Sequence, residues 1–163
     1  RRWSKKTFIN RCKLIREALV NPSFTTDVIV GFPGETDEEF AETLETVRQI
    51  GFSKIHMFPF SARRGTPAAD MKDQLPKQLK KARGKQLGML EDELRHAYFT
   101  SLIGSELEVL VEAQDRDNKS QMVGTACRYA PVQFIGEESM IGTLVKVVAE
   151  RVQGDRIVAR LVV

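Results

Sequence analysis

The chain has 163 residues, 42% apolar and 29% charged, with a formal net charge of +3; this is ordinary globular usage and excludes a disordered tail or a collagen-like repeat. No apolar run approaches the roughly 20 residues of a membrane-spanning helix, so a soluble chain without a membrane partner is expected. Two cysteines, Cys12 and Cys127, and two histidines, His56 and His96, are too few for a four-ligand metal site or an all-cysteine iron–sulfur cluster, so no metal ligand is assigned.

From Lys5 to Leu19 the residues Phe8, Cys12, Ile15 and Leu19 recur at helical spacing, with Ser4 as N-cap and Asn21-Pro22 as the stop. Val28-Ile29-Val30, bounded by Gly31-Phe32-Pro33-Gly34 and lacking alternation, predicts a strand buried on both faces. Thr36-Asp37-Glu38-Glu39 forms a capping box ahead of a helix with Phe40, Leu44 and Val47 on one face, ended by Gly51. A second strand is expected within Phe52 to Phe60, followed by the loop Ser61 to Pro67. Pro76 opens a long helix to about Leu102, with Leu79, Leu87, Leu90, Leu94 and Ala97 near one stripe; Gly84 and Gly88 each weaken it by about 1 kcal/mol and allow a kink. Helices alternating with strands imply parallel pairing with helical crossovers.

Beyond Gly104 the period changes. Leu107, Val109 and Val111 alternate with Glu106, Glu108 and Glu112, and short runs follow at Gln121 to Tyr129, Pro131 to Ile135, Gly142 to Ala149 and Arg156 to Val163. Five short strands in so small a span predict a closed antiparallel β-barrel. The expected fold class is therefore α/β: parallel strands with helical crossovers over residues 1–101, then a small closed antiparallel β-barrel over residues 102–163. Residues 1–101 carry 18 Lys and Arg against 13 Asp and Glu, and residues 102–163 carry 7 against 9. The basic excess sits in the first part. The start at Arg1-Arg2-Trp3, without an initiator methionine or signal segment, reads as the middle of a longer protein. Sparse cysteine points to a reducing, cytoplasmic setting, with both thiols as small buried side chains.

Ligands of parallel sheets gather at the carboxyl ends of the strands, where the next helix presents free N–H groups. Gly31 and Gly34 would let a ligand approach the backbone, Pro33 stiffens the turn, and Glu35 could accept a bond from an amine or a ribose hydroxyl. The plainer alternative is a tight strand-to-helix turn. Arg63 and Arg64, after the second strand, could meet phosphates, or be solvated surface residues. Lys77, Lys80, Lys81, Arg83 and Lys85 supply either nonspecific attraction to RNA or the wet face of a helix. His56, mid-strand, is expected to be packed. No Ser/His/Asp set, Walker loop or zinc-protease motif is present, so no catalytic residue is assigned.

Two long segments, Thr26-Asp27-Val28-Ile29-Val30-Gly31-Phe32-Pro33-Gly34-Glu35-Thr36-Asp37-Glu38-Glu39-Phe40 and His56-Met57-Phe58-Pro59-Phe60-Ser61-Ala62-Arg63-Arg64-Gly65-Thr66-Pro67-Ala68-Ala69, resemble the radical S-adenosylmethionine methylthiotransferases. The resemblance continues through Asp73-Gln74-Leu75-Pro76 and covers essentially the whole chain, with residues 103–163 similar to the TRAM domain, an RNA-binding barrel. It implies a transferase that replaces an adenine C–H bond by C–SCH3 in tRNA, using adenosylmethionine and 4Fe-4S clusters. One cluster would sit on a CxxxCxxC loop and another on an N-terminal domain. Those cysteines are not in this sequence, so the chain resembles a C-terminal fragment, with the C-terminal portion of a partial parallel (β/α) barrel over residues 1–101 and a small antiparallel, OB-like TRAM barrel over residues 102–163. Such a fragment would hold no cofactor alone, be inactive alone, and have the rest of its parent and a tRNA anticodon stem-loop as partners. The wording His56 to Ser61, with Arg1-Arg2-Trp3, most resembles the branch acting on N6-threonylcarbamoyladenosine beside the anticodon. The alternatives are the isopentenyladenosine and ribosomal-protein branches.

Carried over residue by residue, the resemblance implies that Val30, Gly31, Gly34 and Glu35 lie near adenosylmethionine, that backbone around Phe58 and Phe60 lines its adenine, and that Arg1 matches an arginine following the preceding strand. Arg63 and Arg64 would face RNA. The barrel's net charge of −2 requires its basic residues, Lys119, Arg128, Lys146, Arg151, Arg156 and Arg160, to cluster on one face, or the other domain to do the binding; Lys146 and Arg160 are the RNA-binding candidates there. Tyr129 and Phe134 are alternatively base-stacking or core residues. Two rival classes are a noncatalytic RNA-binding module and a protein–protein scaffold using an exposed sheet edge.

Overall fold

The computed structural model describes residues 4–162; Arg1, Arg2 and Trp3, and with them the Arg1 expectation, lie outside the described residues. Two compact units are resolved, one of the residues up to Val20 with Phe24–Arg95, the other of Asn21–Ser23 with the residues from His96 onward. The division falls inside a helix, six residues before the expected 101/102 boundary.

The first unit contains α1 (Lys5–Ala18), β1 (Thr25–Val30), α2 (Asp37–Ile50) and β2 (Lys54–Pro59), and most of α3 (Lys77–Ser101). Ser4 caps α1 through its hydroxyl, which accepts from Thr7 N. Thr36 and Glu39 close a reciprocal capping box on α2, three acids occupy its first turn, and Gly51 ends it at φ +68° with its N–H on Val47 O, as the sequence predicts. β1 and β2 pair in parallel, Thr25 opposite Lys54 through Val30 opposite Pro59. The core joins Ile9, Val30, Phe40, Val47, Ile50, Phe52, Ile55, Leu87 and Leu90.

Several expectations change here. β1 is buried on one face only: Val30 is fully covered while Ile29 is 55% exposed. With two strands in the sheet and α2 and α3 following them, alternate side chains have no second layer to meet. His56, opposite Asp27, is exposed on that uncovered face rather than packed. On α1, Phe8, Ile15 and Leu19 are exposed, and the buried residue is Ile9. α3 runs unbroken through Gly84 and Gly88. At Gly84 a Cβ would come within 2.9 Å of Cε, the mobile end of Met57 on β2, so the two elements approach closely there. Ala97 of the predicted stripe is exposed.

The second unit is a closed five-stranded barrel of β3 (Glu106–Gln114), β4 (Gln121–Ala126), β5 (Pro131–Ile135), β6 (Leu144–Gln153) and β7 (Arg156–Leu161), in the order β3-β4-β5-β7-β6. It is not wholly antiparallel, because β5 and β7 pair in parallel. The chain must cross between β5 and β6 for the sheet to close in this OB-like order. Register shifts at Val111/Ala113 and Ala149/Arg151 mark bulges in the two long strands, the device by which a sheet bends into a small barrel. The inward residues Leu107, Val109, Val111, Met122, Val132, Phe134, Val147 and Ile157 form the core with Phe99 and Leu102. At Gly124 a Cβ would stand 2.1 Å from Leu110 O, so only glycine permits that approach. Phe134 is thus a core residue, and Cys127 is exposed where a buried thiol was expected; Cys12 is half-buried.

Candidate functional site

The two turns that leave the parallel strands meet. Phe60 N donates to Val30 O at 2.8 Å, and the rings of Phe32 and Phe60 stand edge to face with centroids 5.2 Å apart. Each turn is built by its own residues. Gly31 and Gly34 adopt φ +71° and +79°, conformations that favour glycine. Glu35 N bonds Phe32 O at 2.9 Å and Gly34 N bonds Asp73 O at 2.9 Å.

Glu35 faces inward. Its Oε2 accepts from Gly31 N at 2.8 Å and from Arg83 at 2.5 Å, while Arg83 also donates to Glu35 O at 3.0 Å and to Asp37 Oδ1 at 2.7 Å. Arg83 is buried and lies over the Phe40 ring, 5.2 Å from its centroid. Burial pulls the guanidinium pKa down, but the bonds to Asp37 and Glu35 more than offset this and leave it above the ordinary arginine value. The charge pair is therefore maintained, and such a pair is costly to break from one side. Lys80 ties the second turn. Its Nζ donates to Phe60 O at 3.0 Å and lies 5.7 Å from the centroid of the Phe60 ring, while its aliphatic stem covers Gly31 closely enough that a Cβ there would fall 2.3 Å from Cγ.

Sequence reasoning missed Lys80 and Arg83 as turn holders, reading both as members of a solvated basic run. Of that run Lys77, Lys81 and Lys85 are exposed. The signal was available: Arg83 falls between Leu79 and Leu87 at four-residue steps, inside the apolar stripe of α3, a position a lone solvated cation does not take.

Phe58 is 52% exposed beside Ile29 on the uncovered sheet face, an apolar surface suited to the face of a planar ring. Adenosylmethionine is implied only by resemblance, and the residues fit it in part. The Ile29 and Phe58 surface offers packing, whereas Gly31 N, Glu35 Oε2 and both backbone groups of Phe60 already have partners within the turns. Arg63 and Arg64 are exposed in the following loop, without a carboxylate partner among the described residues; Arg63 O closes the turn by accepting from Thr66. No group of three or more His, Cys, Asp or Glu able to hold a metal lies together among the described residues.

On the barrel, Lys146 pairs with Glu106 at 3.0 Å and Arg160 with Glu150 at 3.6 Å. The hydrogen bond to Glu106, then its charge, raise the Lys146 pKa. Arg156 reaches Asp115 at 3.3 Å and Asp155 at 3.5 Å. Asp115 accepts from Asp117 N and Asn118 N, and these bonds, followed by Arg156, hold its carboxyl below the usual range. Of the seven basic residues in 102–163, Lys146, Arg156 and Arg160 stand in ion pairs, so the set does not form one unpaired face. Tyr129 is 82% exposed at φ +56° at the β4–β5 turn.

In class, this is a helix-backed parallel strand pair joined to a small closed OB-like barrel. No protein-family model matches the chain. It is 40% identical over 92% of its length to the tRNA-2-methylthio-N(6)-dimethylallyladenosine synthase of Desulfitobacterium hafniense, covering 34% of that protein. It is 39% identical over 90% of its length to the enzyme of the same name from Geobacillus kaustophilus, and 40% over 90% to that of Bacillus cereus, covering 28% and 29% of them. These tRNA methylthiotransferases are its homologues across nearly the whole chain, and the chain spans about a third of their length.

Proposed function

We propose that this chain is the C-terminal part of a radical adenosylmethionine tRNA methylthiotransferase, and that its substrate base is N6-dimethylallyladenosine, the isopentenyl branch. The observation that carries the reading is the meeting of the Gly31–Glu35 turn with the Phe58–Phe60 segment, in a sequence 40% identical to synthases so named. The named relatives do not carry the threonylcarbamoyl expectation. That branch remains the second reading, resting on the wording His56 to Ser61 and Arg1-Arg2-Trp3.

In this reading adenosylmethionine, activated at a 4Fe-4S cluster elsewhere in the parent, supplies the radical chemistry that exchanges an adenine C–H bond for C–SCH3. The residues of this chain bind and position. Phe58 and Ile29 pack against the adenine face. Val30, Gly31 and Gly34 border the ligand with backbone, and Phe60 closes its edge. Glu35 acts as a positioning residue through Gly31 N. Arg63 and Arg64 face the RNA, a role Lys146 and Arg160 share only by exchanging a carboxylate for a phosphate. Parent and tRNA would meet in the cytoplasm.

The full-length parent, reconstituted with iron and sulfide and supplied with adenosylmethionine, is expected to form 2-methylthio-N6-dimethylallyladenosine in tRNA, read by nucleoside mass spectrometry. The threonylcarbamoyl product would select the second reading, and a methylthiolated ribosomal protein would overturn both.

A further inference from the structure

The basic charge of this protein is concentrated where neither the turns nor the barrel uses it. Residues 1–20 carry seven Lys and Arg against one acid, Glu17, a net of +6, while the remainder of the chain sums to −3. On α1, two of the cations are occupied: Lys5 lies 3.7 Å from Glu42, and Arg16 donates to Ile50 O and sits over the Phe24 ring. Lys6 and Lys13 are exposed and have no carboxylate partner among the described residues.

These two lysines line one hollow. A depression of about 350 Å3 is bounded by Lys5, Lys6, Ile9, Asn10 and Lys13 of α1 and Gln49 of α2. No carboxylate lines it, and every polar side chain around it is an ammonium or an amide. At 3.6 residues per turn Lys6, Asn10 and Lys13 form one stripe, about 10 Å long between the lysines. A run of phosphates on a strand matches this length better than one isolated anion. The barrel, by contrast, offers Lys146, Arg156 and Arg160 already in ion pairs.

We propose that the α1 hollow is a binding site for the sugar-phosphate backbone of an RNA strand, with Lys6 and Lys13 as phosphate contacts and Asn10 and Gln49 as amide donors. The proposal rests on the tRNA reading above and adds to it the surface that holds the RNA. An anionic membrane fits less well. Of the exposed apolar residues only Leu14 adjoins the lysine stripe, while Phe8, Ile15 and Leu19 lie beyond the buried Ile9, so the lysines flank one edge of the apolar surface, whereas interfacial helices flank their apolar face with cations on both sides.

The test uses the 163-residue chain and a fluorescently labelled stem-loop RNA with an unpaired loop, titrated by anisotropy across a salt series. The double variant K6Q/K13Q should lower the slope of log affinity against log salt by about 1.4 to 1.8 and weaken binding at moderate salt on the order of tenfold. Its circular dichroism should be unchanged, and K72Q/R116Q, which removes two exposed cations outside the hollow, should bind within about twofold of the parent sequence. Wild-type affinity in K6Q/K13Q overturns the proposal and leaves the methylthiotransferase reading intact. Displacement of the RNA by equimolar inorganic phosphate assigns the hollow to a free anion, and binding to anionic phospholipid vesicles without binding to RNA assigns α1 to a membrane; either result overturns it. Because nucleoside mass spectrometry on the full-length parent is a separate measurement, failure of that reading is seen independently.

Discussion

The two units solve the problem of unpaired strand edges in opposite ways. In the barrel every strand has two neighbours, and its inward residues, from Leu107 to Ile157, have essentially no contact with solvent. In the first unit the sheet has two strands, and α2 and α3 serve only one of its faces, leaving Ile29 and Phe58 about half exposed. Closure by hydrogen bonding makes a small unit self-contained. A parallel pair must instead take its second layer from elsewhere. The candidate ligand surface lies on the face that remains uncovered.

The comparison can be broken at several points. The largest effect is expected in the barrel core, where Phe134→Ala should cost about 3 to 5 kcal/mol in urea unfolding; a cost below about 1 kcal/mol would mean that the barrel is loosely packed. Next comes Arg83→Ala, which strands the Glu35 carboxylate against Gly31 N and should cost about 3 kcal/mol. Arg83→Lys should recover only part of this, because one ammonium cannot serve Glu35 and Asp37 with the fork of a guanidinium. Gly31→Ala forces a side chain into positive φ and onto the Lys80 stem, and should cost about 1 to 2 kcal/mol. Amide exchange at Phe60 should rise with it, as Lys80 is displaced from that turn.

The smallest effects belong to the open face and the loops. Phe58→Ser should change stability by less than about 0.5 kcal/mol, as expected for a side chain with little to pack against in this chain. It should weaken adenosylmethionine binding in the full-length parent, measured by equilibrium dialysis, if the uncovered face is the ligand surface. For Asp115 the folded carboxyl titrates below its unfolded value. Its contribution is therefore present above the ordinary aspartate range and disappears as pH falls through that range and below it. Amide resonances of Asp117 and Asn118 followed by NMR should shift in that acidic window and stay constant near neutrality.

Wherever a local rule governs, this protein was legible from its residues. The capping box at Thr36 and Glu39, the Gly51 stop, the Ser4 cap and the two-residue alternation of the barrel strands each depend on neighbours a few positions away. Leu107, Val109 and Val111 follow from that alternation, whereas Phe134, open in the sequence between base stacking and core, is settled only by the closure of the barrel around it.

Tertiary structure decided what depends on partners far along the chain. The run Val28-Ile29-Val30 looks buried on both sides, but among the described residues no second layer covers Ile29, and hydropathy does not report that. Lys80 and Arg83 resemble their solvated neighbours in a list of residues; only the packing of α3 against Gly31, Phe40 and Phe60 makes them internal. The parallel β5–β7 pair likewise follows from closure, since a strand's residues encode its faces and not its neighbour. Side-chain periodicity is local, whereas burial and charge pairing are properties of the assembled surfaces, and the candidate site here is made of both.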